Sequence, residues 1–186
     1  MKPADFVHLH VHTDYSLLDG NCRVEDLVVR AKSFGMTALG VSDHGNLFGA
    51  VEFYKACKKH GLNPIIGMEG YLAQGSRKEK SKVDSGKNTY HLTLLSQSTE
   101  GFFNLMRLTS LSYLEGFYYR PRMDKELLRA HGKGLVALSG CLGGELIQTL
   151  KTQGKEGALR VVAEYRDIFG PENYFIEIMD NGLEEQ

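Results

Sequence analysis

The feature that most restricts the fold is a regular alternation of short apolar segments with longer segments of helical periodicity. Apolar runs typical of buried strands occur at 6–11, 37–43, 63–73, 90–97, 134–140 and 173–180. Apolar residues recur at helical spacing in 23–35, 46–61, 100–116, 124–132, 144–154 and 155–170. Strands that alternate with helices predict an α/β fold with parallel pairing, here a barrel or a barrel-like domain.

Residues typical of helix ends mark several boundaries. Gly35 and Gly61 follow periodic segments and predict their C-terminal ends, while Asn46 predicts the start of the second helix. The segment 74–88 is polar and basic without periodicity, which predicts a solvated loop. No long linker and no repeat divides residues 1–186, so we expect a single domain. A barrel that ends just after the strand at 173–180 would be short of closure, which indicates part of a longer polypeptide.

The composition excludes some classes of protein but does not indicate a binding partner. No apolar run approaches the roughly 20 residues that span a bilayer, and the N-terminus lacks the features of a secretory signal. We therefore expect a cytoplasmic protein with no membrane contact. Three cysteines without CxxC spacing indicate reduced thiols. The net charge of -1 offers no general attraction for nucleic acid, so phosphate binding requires a local site.

The segment "HLHVH" at 8–12 places three of the seven histidines at alternate positions. In a β-strand, His8, His10 and His12 would face the same side. In parallel α/β folds, functional groups collect at the C-terminal ends of strands and on the loops beyond them. The residues that this rule collects are His10, His12, Asp19, Asp43, His44, Glu69, His91 and Cys141.

These side chains are imidazoles, carboxylates and one thiol, all of which bind zinc, manganese or iron. Because one ion takes four to six donors, the set would suit two or three divalent ions with shared ligands. Adjacent divalent ions lower the pKa of water and neutralise phosphoryl oxygens during in-line displacement. The donor set therefore predicts metal-dependent hydrolysis of phosphoesters.

Each of these residues also has a structural interpretation. His8, His44 and His91 are each compatible with a hydrogen-bonded core histidine, and Cys141 with a small buried apolar residue. His60 and His131 precede glycines at predicted helix ends and fit cationic capping. Asp43 is interpreted as a group that orients an imidazole through its far nitrogen. The presence of all these residues together is stronger evidence for a metal site than any one of them alone.

The longer motifs resemble those of a known family. The HxH pair, "SDHGN", a glutamate after the third strand, and a later histidine and cysteine resemble the polymerase and histidinol phosphatase (PHP) domain. The resemblance is narrower to the PHP domain at the N-terminus of the alpha subunit of bacterial DNA polymerase III, through "HLHVHTDYSLLDG", "SDHGNLFGAVEFYKACKKHGLNPIIGMEGY", "YHLTLL", "NLMRLTSLSYLEGFYYRPRMD" and "LSGCLGGE".

This resemblance implies a distorted (βα)7 barrel with a cluster of two or three divalent ions, zinc first, at one end. It assigns seven positions as metal ligands, with Glu69 as the bridging carboxylate and Glu69 and Asp19 as the catalytic residues: His10, His12, Asp19, His44, Glu69, His91 and Cys141. It implies 3'-5' exonuclease activity within a DNA-directed DNA polymerase, with DNA and other polymerase III subunits as partners, including a separate proofreading subunit. Arg120 and Arg122 are candidates for contact with DNA phosphates, with a surface or structural role as the alternative.

One departure from the family pattern matters. The family motif closes with an Asp-x-His pair on a last strand, and nothing similar follows "FIEIMD". The chain therefore resembles a domain truncated before its last strand, from the N-terminus of a much longer polymerase. Two alternatives remain open: a non-catalytic module that stabilises a polymerase and binds partners, and a stand-alone phosphatase of the histidinol phosphate type.

Overall fold

The computed structural model describes residues 6–17, 19–80 and 89–184, which form five helices and six strands. In chain order these are α1 Val24–Ser33, β1 Ala38–His44, α2 Ala50–His60, β2 Asn63–Leu72, β3 Tyr90–Ser96, α3 Thr99–Leu114, β4 Arg122–Met123, α4 Lys125–His131, β5 Leu135–Leu138, α5 Glu145–Phe169 and β6 Tyr174–Phe175. The mixed α/β composition agrees with the sequence pattern. No helix in the described ranges has the length and apolar character needed to cross a bilayer.

The sheet has the order β1-β2-β3-β5-β6, with β4 paired to β2 outside this path. β1 and β2, β2 and β4, and β5 and β6 pair in parallel, but β3 is antiparallel to both of its neighbours. The expectation of parallel pairing throughout is therefore wrong at β3. No helix is described between β2 and β3, and adjacent parallel strands require a long crossover, usually helical.

The predicted strand at 6–11 is an extended segment beside β1 rather than a regular strand. Its contacts with β1 are hydrogen bonds from the Gly40 N–H to the His8 carbonyl, at 2.7 Å, and from the Ser42 N–H to the Val11 carbonyl, at 2.8 Å. At the other end, β6 covers two residues instead of the predicted 173–180. The distorted (βα)7 barrel is not confirmed, because the described strands form an open six-stranded sheet.

Most helix boundaries follow the sequence signals. Gly61 ends α2 in the left-handed conformation. Asn46 does not cap α2, which begins at Ala50; its Oδ1 accepts from the Phe48 N–H and closes a local turn instead. The two helices predicted at 144–154 and 155–170 form α5, with a break at Gly154, whose φ is 69°.

Two apolar clusters hold the elements around the sheet. One joins α1 and α2 to β1 and β2 and contains Val28, Leu39 and Phe53. The larger cluster joins β2, β3 and β5 to α3, α4 and α5, with Leu94 and Tyr165 among its most buried members. Burial of apolar surface is the main favourable contribution to folding. These clusters therefore hold the strands in place, and with them the edge of the sheet where the predicted donor residues lie.

Part of the predicted solvated loop at 74–88 is buried. Residues 81–88 lie outside the described residues, but Arg77 is only 5% exposed. Its guanidinium donates to the carboxylates of Asp124 and Glu115. This segment is therefore anchored to the N-terminus of α4 by a buried ion pair.

Candidate metal centre

The seven predicted donors line one cleft of about 810 Å³ at a single edge of the sheet. His10 and His12 come from the N-terminal segment, and Asp19 from the turn that follows it. The other donors come from the sheet and the loop beyond β5: His44 ends β1, Glu69 lies in β2, His91 is the second residue of β3, and Cys141 follows β5.

Glu69 occupies the centre of this group and is 1% exposed. Its Oε1 lies 3.4 Å from Nε2 of His10 and 3.0 Å from Nδ1 of His91. Its Oε2 lies 3.4 Å from Nε2 of His12 and 2.7 Å from Nδ1 of His44. Each carboxylate oxygen thus faces two imidazoles, an arrangement that suits a bridging carboxylate.

In His10 and His12, the ring nitrogen that points away from Glu69 has a contact of its own, and this contact determines which nitrogen faces Glu69. Nδ1 of His12 donates to the Ser42 carbonyl, at 2.9 Å, so its Nε2 lone pair faces the cleft. Nδ1 of His10 lies 2.8 Å from Oε1 of Glu177. Such contacts from the second nitrogen are usual for metal-binding histidines, because they hold the ring and its tautomer.

Asp19 is the most exposed of the donors, with 62% of its side chain accessible, and its Oδ2 contacts Nε2 of His44. Asp43 was expected to orient an imidazole, but its carboxylate instead accepts from Thr13 and Ser16. The Ser16 hydroxyl in turn accepts from the His44 N–H. Asp43 therefore holds the turn that leads to Asp19, which corrects the sequence interpretation.

Cys141 lies beside His91 at the opposite side of the cleft. Its Sγ is 3.7 Å from Nδ1 of His91 and 3.8 Å from Oε1 of Glu69. The preceding Gly140 has φ of 79°, and a Cβ there would approach the His91 carbonyl oxygen to 2.9 Å. Glycine at 140 therefore lets the loop after β5 bring the thiol close to β3.

The two arginines proposed to contact phosphate differ in exposure. Arg120 is exposed, and its guanidinium carbon lies 4.7 Å from the centroid of the Tyr71 ring, which stacks on His44 at 5.7 Å. Arg122 is fully buried and donates to the carbonyls of Gly116, Arg77 and Glu79. Arg122 is thus a structural residue, and its proposed phosphate contact is wrong.

The remaining histidines lie apart from the donor group. His8 contacts the Phe6 ring, with centroids 4.9 Å apart. His60 is the last residue of α2, and its Nε2 lies 2.8 Å from Glu25. His131 is the last residue of α4. The helix-end positions of His60 and His131 agree with their structural interpretation, whereas His8 is exposed and is therefore not a core histidine.

Sequence reasoning missed several residues that contact the donor rings, among them Glu177 and Tyr71. Glu177 interrupts the apolar segment "YFIEIMD", and a single acidic residue in such a segment is itself a signal of a buried polar contact. Tyr71 gives no such signal, because its role depends on the antiparallel pairing of β2 with β3.

The protonation of the cleft is strongly perturbed. Burial lowers the pKa of His10, but hydrogen bonds to Glu177 and Glu69 outweigh it and raise that pKa to about 10. Burial likewise opposes the hydrogen bonds to Cys141 and Glu69 that raise the pKa of His91 to about 9. Burial and the neighbouring His44 lower the pKa of His12. Burial disfavours the charged form of Glu69, but the surrounding imidazoles hold its pKa well below the usual range.

The donor atoms also fit divalent cations. Three overlapping groups each bring their ligand atoms within 4.8 Å of one another: His10, His12 and Glu69; His12, Asp19 and His44; His44, Glu69 and His91. Nδ1 of His44 and Oε2 of Glu69 are buried and lie 2.7 Å apart, but neither atom makes a hydrogen bond of regular geometry among the described residues. Buried polar atoms without a partner are costly, and a shared cation would satisfy both.

Comparison with known proteins gives the PHP family, which the sequence motifs also resemble, over nearly the whole chain. A family model described as "PHP domain" matches residues 8–181. The chain is 48% identical over 186 residues to DNA polymerase III subunit alpha of Treponema pallidum (strain Nichols), covering 100% of this chain and 16% of that protein. It is 49% identical over 193 residues to the subunit of the same name from Deinococcus radiodurans, covering 100% of this chain and 14% of that protein. The chain thus spans about a sixth of the length of the curated relatives it matches.

Among solved structures, an amidohydrolase from Chromobacterium violaceum with bound sulfate and no metal overlaps with a TM-score of 0.42 and 19% sequence identity. The overlap covers 83% of this chain and 43% of that one, and it is too loose to bear on function. The match over residues 8–181 is decisive: the chain belongs to the PHP domain family.

Proposed function

We propose that this chain is the N-terminal PHP domain of the alpha subunit of a bacterial replicative DNA polymerase III, with a metal centre that hydrolyses phosphodiester bonds at the 3' end of DNA. The observation that carries the hydrolytic part is the contact of Glu69 with four imidazoles within 3.4 Å. The identity of 48% over 186 residues to a polymerase subunit supports the parent protein.

The residues present would hold two or three divalent ions, with zinc as the first candidate and manganese or iron also compatible. The ligands are His10, His12, Asp19, His44, Glu69, His91 and Cys141. When bound, such ions act as Lewis acids toward phosphoryl oxygens and lower the pKa of water.

Three side chains of the protein, those of Glu69, Asp19 and Arg120, would have separate roles in the reaction. Glu69 presents each of its two oxygens to a different pair of imidazoles and would contribute both oxygens to the metal site. Asp19 lies at the mouth of the cleft, where the scissile phosphate would enter. Arg120, stacked on Tyr71, presents an exposed cation beside the site and would bind a neighbouring phosphate.

The proposal that the domain is part of a longer polymerase rests on the relatives, because the chain covers 16% of the Treponema pallidum subunit. The walls of the cleft include the segments around Leu9 and Ile178. A further strand between these segments would complete a (βα)7 barrel and add the Asp-x-His ligands of the family motif. The partners would then be DNA and the other polymerase III subunits, including a proofreading subunit, in the cytoplasm.

Two alternatives are less well supported. A purely structural module has no need to gather four imidazoles around one buried carboxylate. A stand-alone histidinol phosphate phosphatase does not explain the similarity of the whole chain to polymerase subunits.

The decisive experiment replaces His12 and Asp19 with alanine in the full-length polymerase. We expect the variant to lose zinc-dependent or manganese-dependent release of the 3'-terminal nucleotide from single-stranded DNA, with unchanged polymerase activity and with an unchanged melting temperature when both proteins are measured in the presence of a chelator. A wild-type protein without metal-dependent nuclease activity, combined with a lower melting temperature in the variant, would favour the structural module. Release of phosphate from histidinol phosphate would favour the phosphatase.

A further inference from the structure

We propose that Glu177 is a positioning residue that fixes the ring orientation and the tautomer of His10, so that Nε2 of His10 serves as the ligand atom. The inference rests on the proposed metal centre and adds to it a residue outside the ligand set.

The contact between the two side chains is direct and buried. Oε1 of Glu177 lies 2.8 Å from Nδ1 of His10, and the two side chains are 10% and 7% exposed. The opposite ring nitrogen, Nε2, lies 3.4 Å from Oε1 of Glu69. The His10 ring thus bridges two carboxylates, one inside the donor group and one behind it.

The backbone around Glu177 is held in place by Ser139, the residue that follows β5. The Glu177 N–H donates to the Ser139 hydroxyl, at 2.9 Å, and the Ser139 N–H donates to the Phe175 carbonyl, also at 2.9 Å. Ser139 is 2% exposed. These bonds extend the pairing of β5 and β6 beyond the short strand and aim the Glu177 carboxylate at the cleft.

A second observation separates Glu177 from an ordinary buried ion pair. Its Oε2 is buried and has no hydrogen-bond partner among the residues described. A structural carboxylate is normally satisfied at both oxygens, because burial of an unpaired charge is costly. Positive charge behind the His10 ring, from cations at the donor group, would offset that cost.

The chemical consequence concerns His10. A carboxylate that accepts the Nδ1 proton leaves the lone pair on Nε2 and makes this nitrogen a stronger ligand. Removal of such a partner from a metal-binding histidine typically weakens metal binding by about tenfold to a hundredfold.

The test compares Glu177→Gln and Glu177→Ala with Glu172→Gln, which changes an exposed glutamate on the same segment. Zinc affinity is measured by competition with a chromogenic chelator, and the His10 tautomer by ¹⁵N NMR of the zinc-loaded protein. We expect Glu177→Ala to weaken zinc binding by about tenfold or more. The Gln variant keeps an oxygen that accepts the Nδ1 proton but loses the charge, so its zinc affinity should fall between wild type and the Ala variant.

The outcomes separate this inference from the proposed function. Tight zinc binding by wild type, with unchanged affinity and an unchanged His10 tautomer in Glu177→Ala, would overturn the role of Glu177 and leave the metal centre intact. Absence of zinc binding by wild type would overturn both. Thermal unfolding is recorded in parallel, and the Gln variant, which preserves the shape of the side chain, decides the matter if Glu177→Ala does not fold.

Discussion

His91 lies directly opposite Tyr71 on the neighbouring antiparallel strand, and the two rings meet edge to face with centroids 5.4 Å apart. Because β3 runs against β2, its first residues lie at the edge where β1 ends. His91 therefore reaches Glu69 from the start of its strand rather than from the end. The same pairing places Tyr71 between the donor group and Arg120.

Replacement of Glu69 with glutamine should impair both metal binding and folding. The amide keeps the shape of the side chain but cannot accept from imidazoles at both of its ends. We expect zinc affinity to fall by at least about tenfold and the metal-free protein to lose about 3 kcal/mol of unfolding free energy. Chelator competition and urea denaturation measure these two effects. Glu172→Gln, at an exposed glutamate outside the cleft, is the control and should change neither quantity.

The three cysteines should differ in their reaction with iodoacetamide. Cys22 is exposed and should react with or without zinc. Burial raises the pKa of Cys57 to about 11, so this thiol should stay unmodified in both conditions. Cys141 should react in the metal-free protein and be protected by zinc. Peptide mass spectrometry gives the result, and equal labelling of Cys141 in both conditions would remove it from the ligand set.

Zinc should stabilise the protein more as the pH rises. In the metal-free fold the pKa of His10 is raised to about 10 and that of His91 to about 9. Their ion pairs therefore stabilise the fold fully below the ordinary histidine pKa of about 6.5 and are lost as the pH rises through the raised values. Zinc must displace these protons, so its affinity should weaken by about tenfold per displaced proton for each pH unit of acidification.

The measurement is the melting temperature with and without zinc between about pH 6 and about pH 8, where the two histidines are still protonated in the metal-free fold. The difference should widen toward the alkaline end. A difference that is constant over this range would show that zinc does not replace protons at these histidines.

The two arginines of "YYRPRMD" should give opposite phenotypes. Arg120→Gln removes an exposed cation, so binding of a single-stranded oligonucleotide should weaken while the unfolding free energy changes by less than about 0.5 kcal/mol. Arg122→Gln leaves buried carbonyls without a donor and should cost about 2 kcal/mol or more. Fluorescence anisotropy and urea denaturation separate the two effects. Equal destabilisation by both variants would contradict the assignment of Arg120 to the surface.

The sequence predicted the order of the main elements because apolar periodicity reflects burial directly. It could not predict the direction of β3, since an apolar strand has the same pattern in either orientation. The late start of α2 was also missed. Asn46 has the residue type of a helix cap, but its side chain instead bonds within a turn that precedes the helix.

The donor residues were predicted as a group because strand ends of α/β folds meet at one edge. The rule could not predict the contacts that hold the donor residues and their loops in position. Asp43 and Glu177 depend on partners that lie 27 or more residues away in sequence. Burial of Arg122 was equally hidden, because the segment "RPRMDK" combines proline with charged residues, which is a composition typical of a surface loop.

The hydrogen bond between His10 and Glu177 joins residues 167 positions apart. During synthesis the ribosome releases the "HLHVH" segment early and the segment around Glu177 much later. In the nascent chain, His10 and His12 are therefore exposed before Glu177, which contacts His10 in the folded domain, has left the exit tunnel. Tight binding of an ion would then have to wait until the segment around Glu177 has left the exit tunnel.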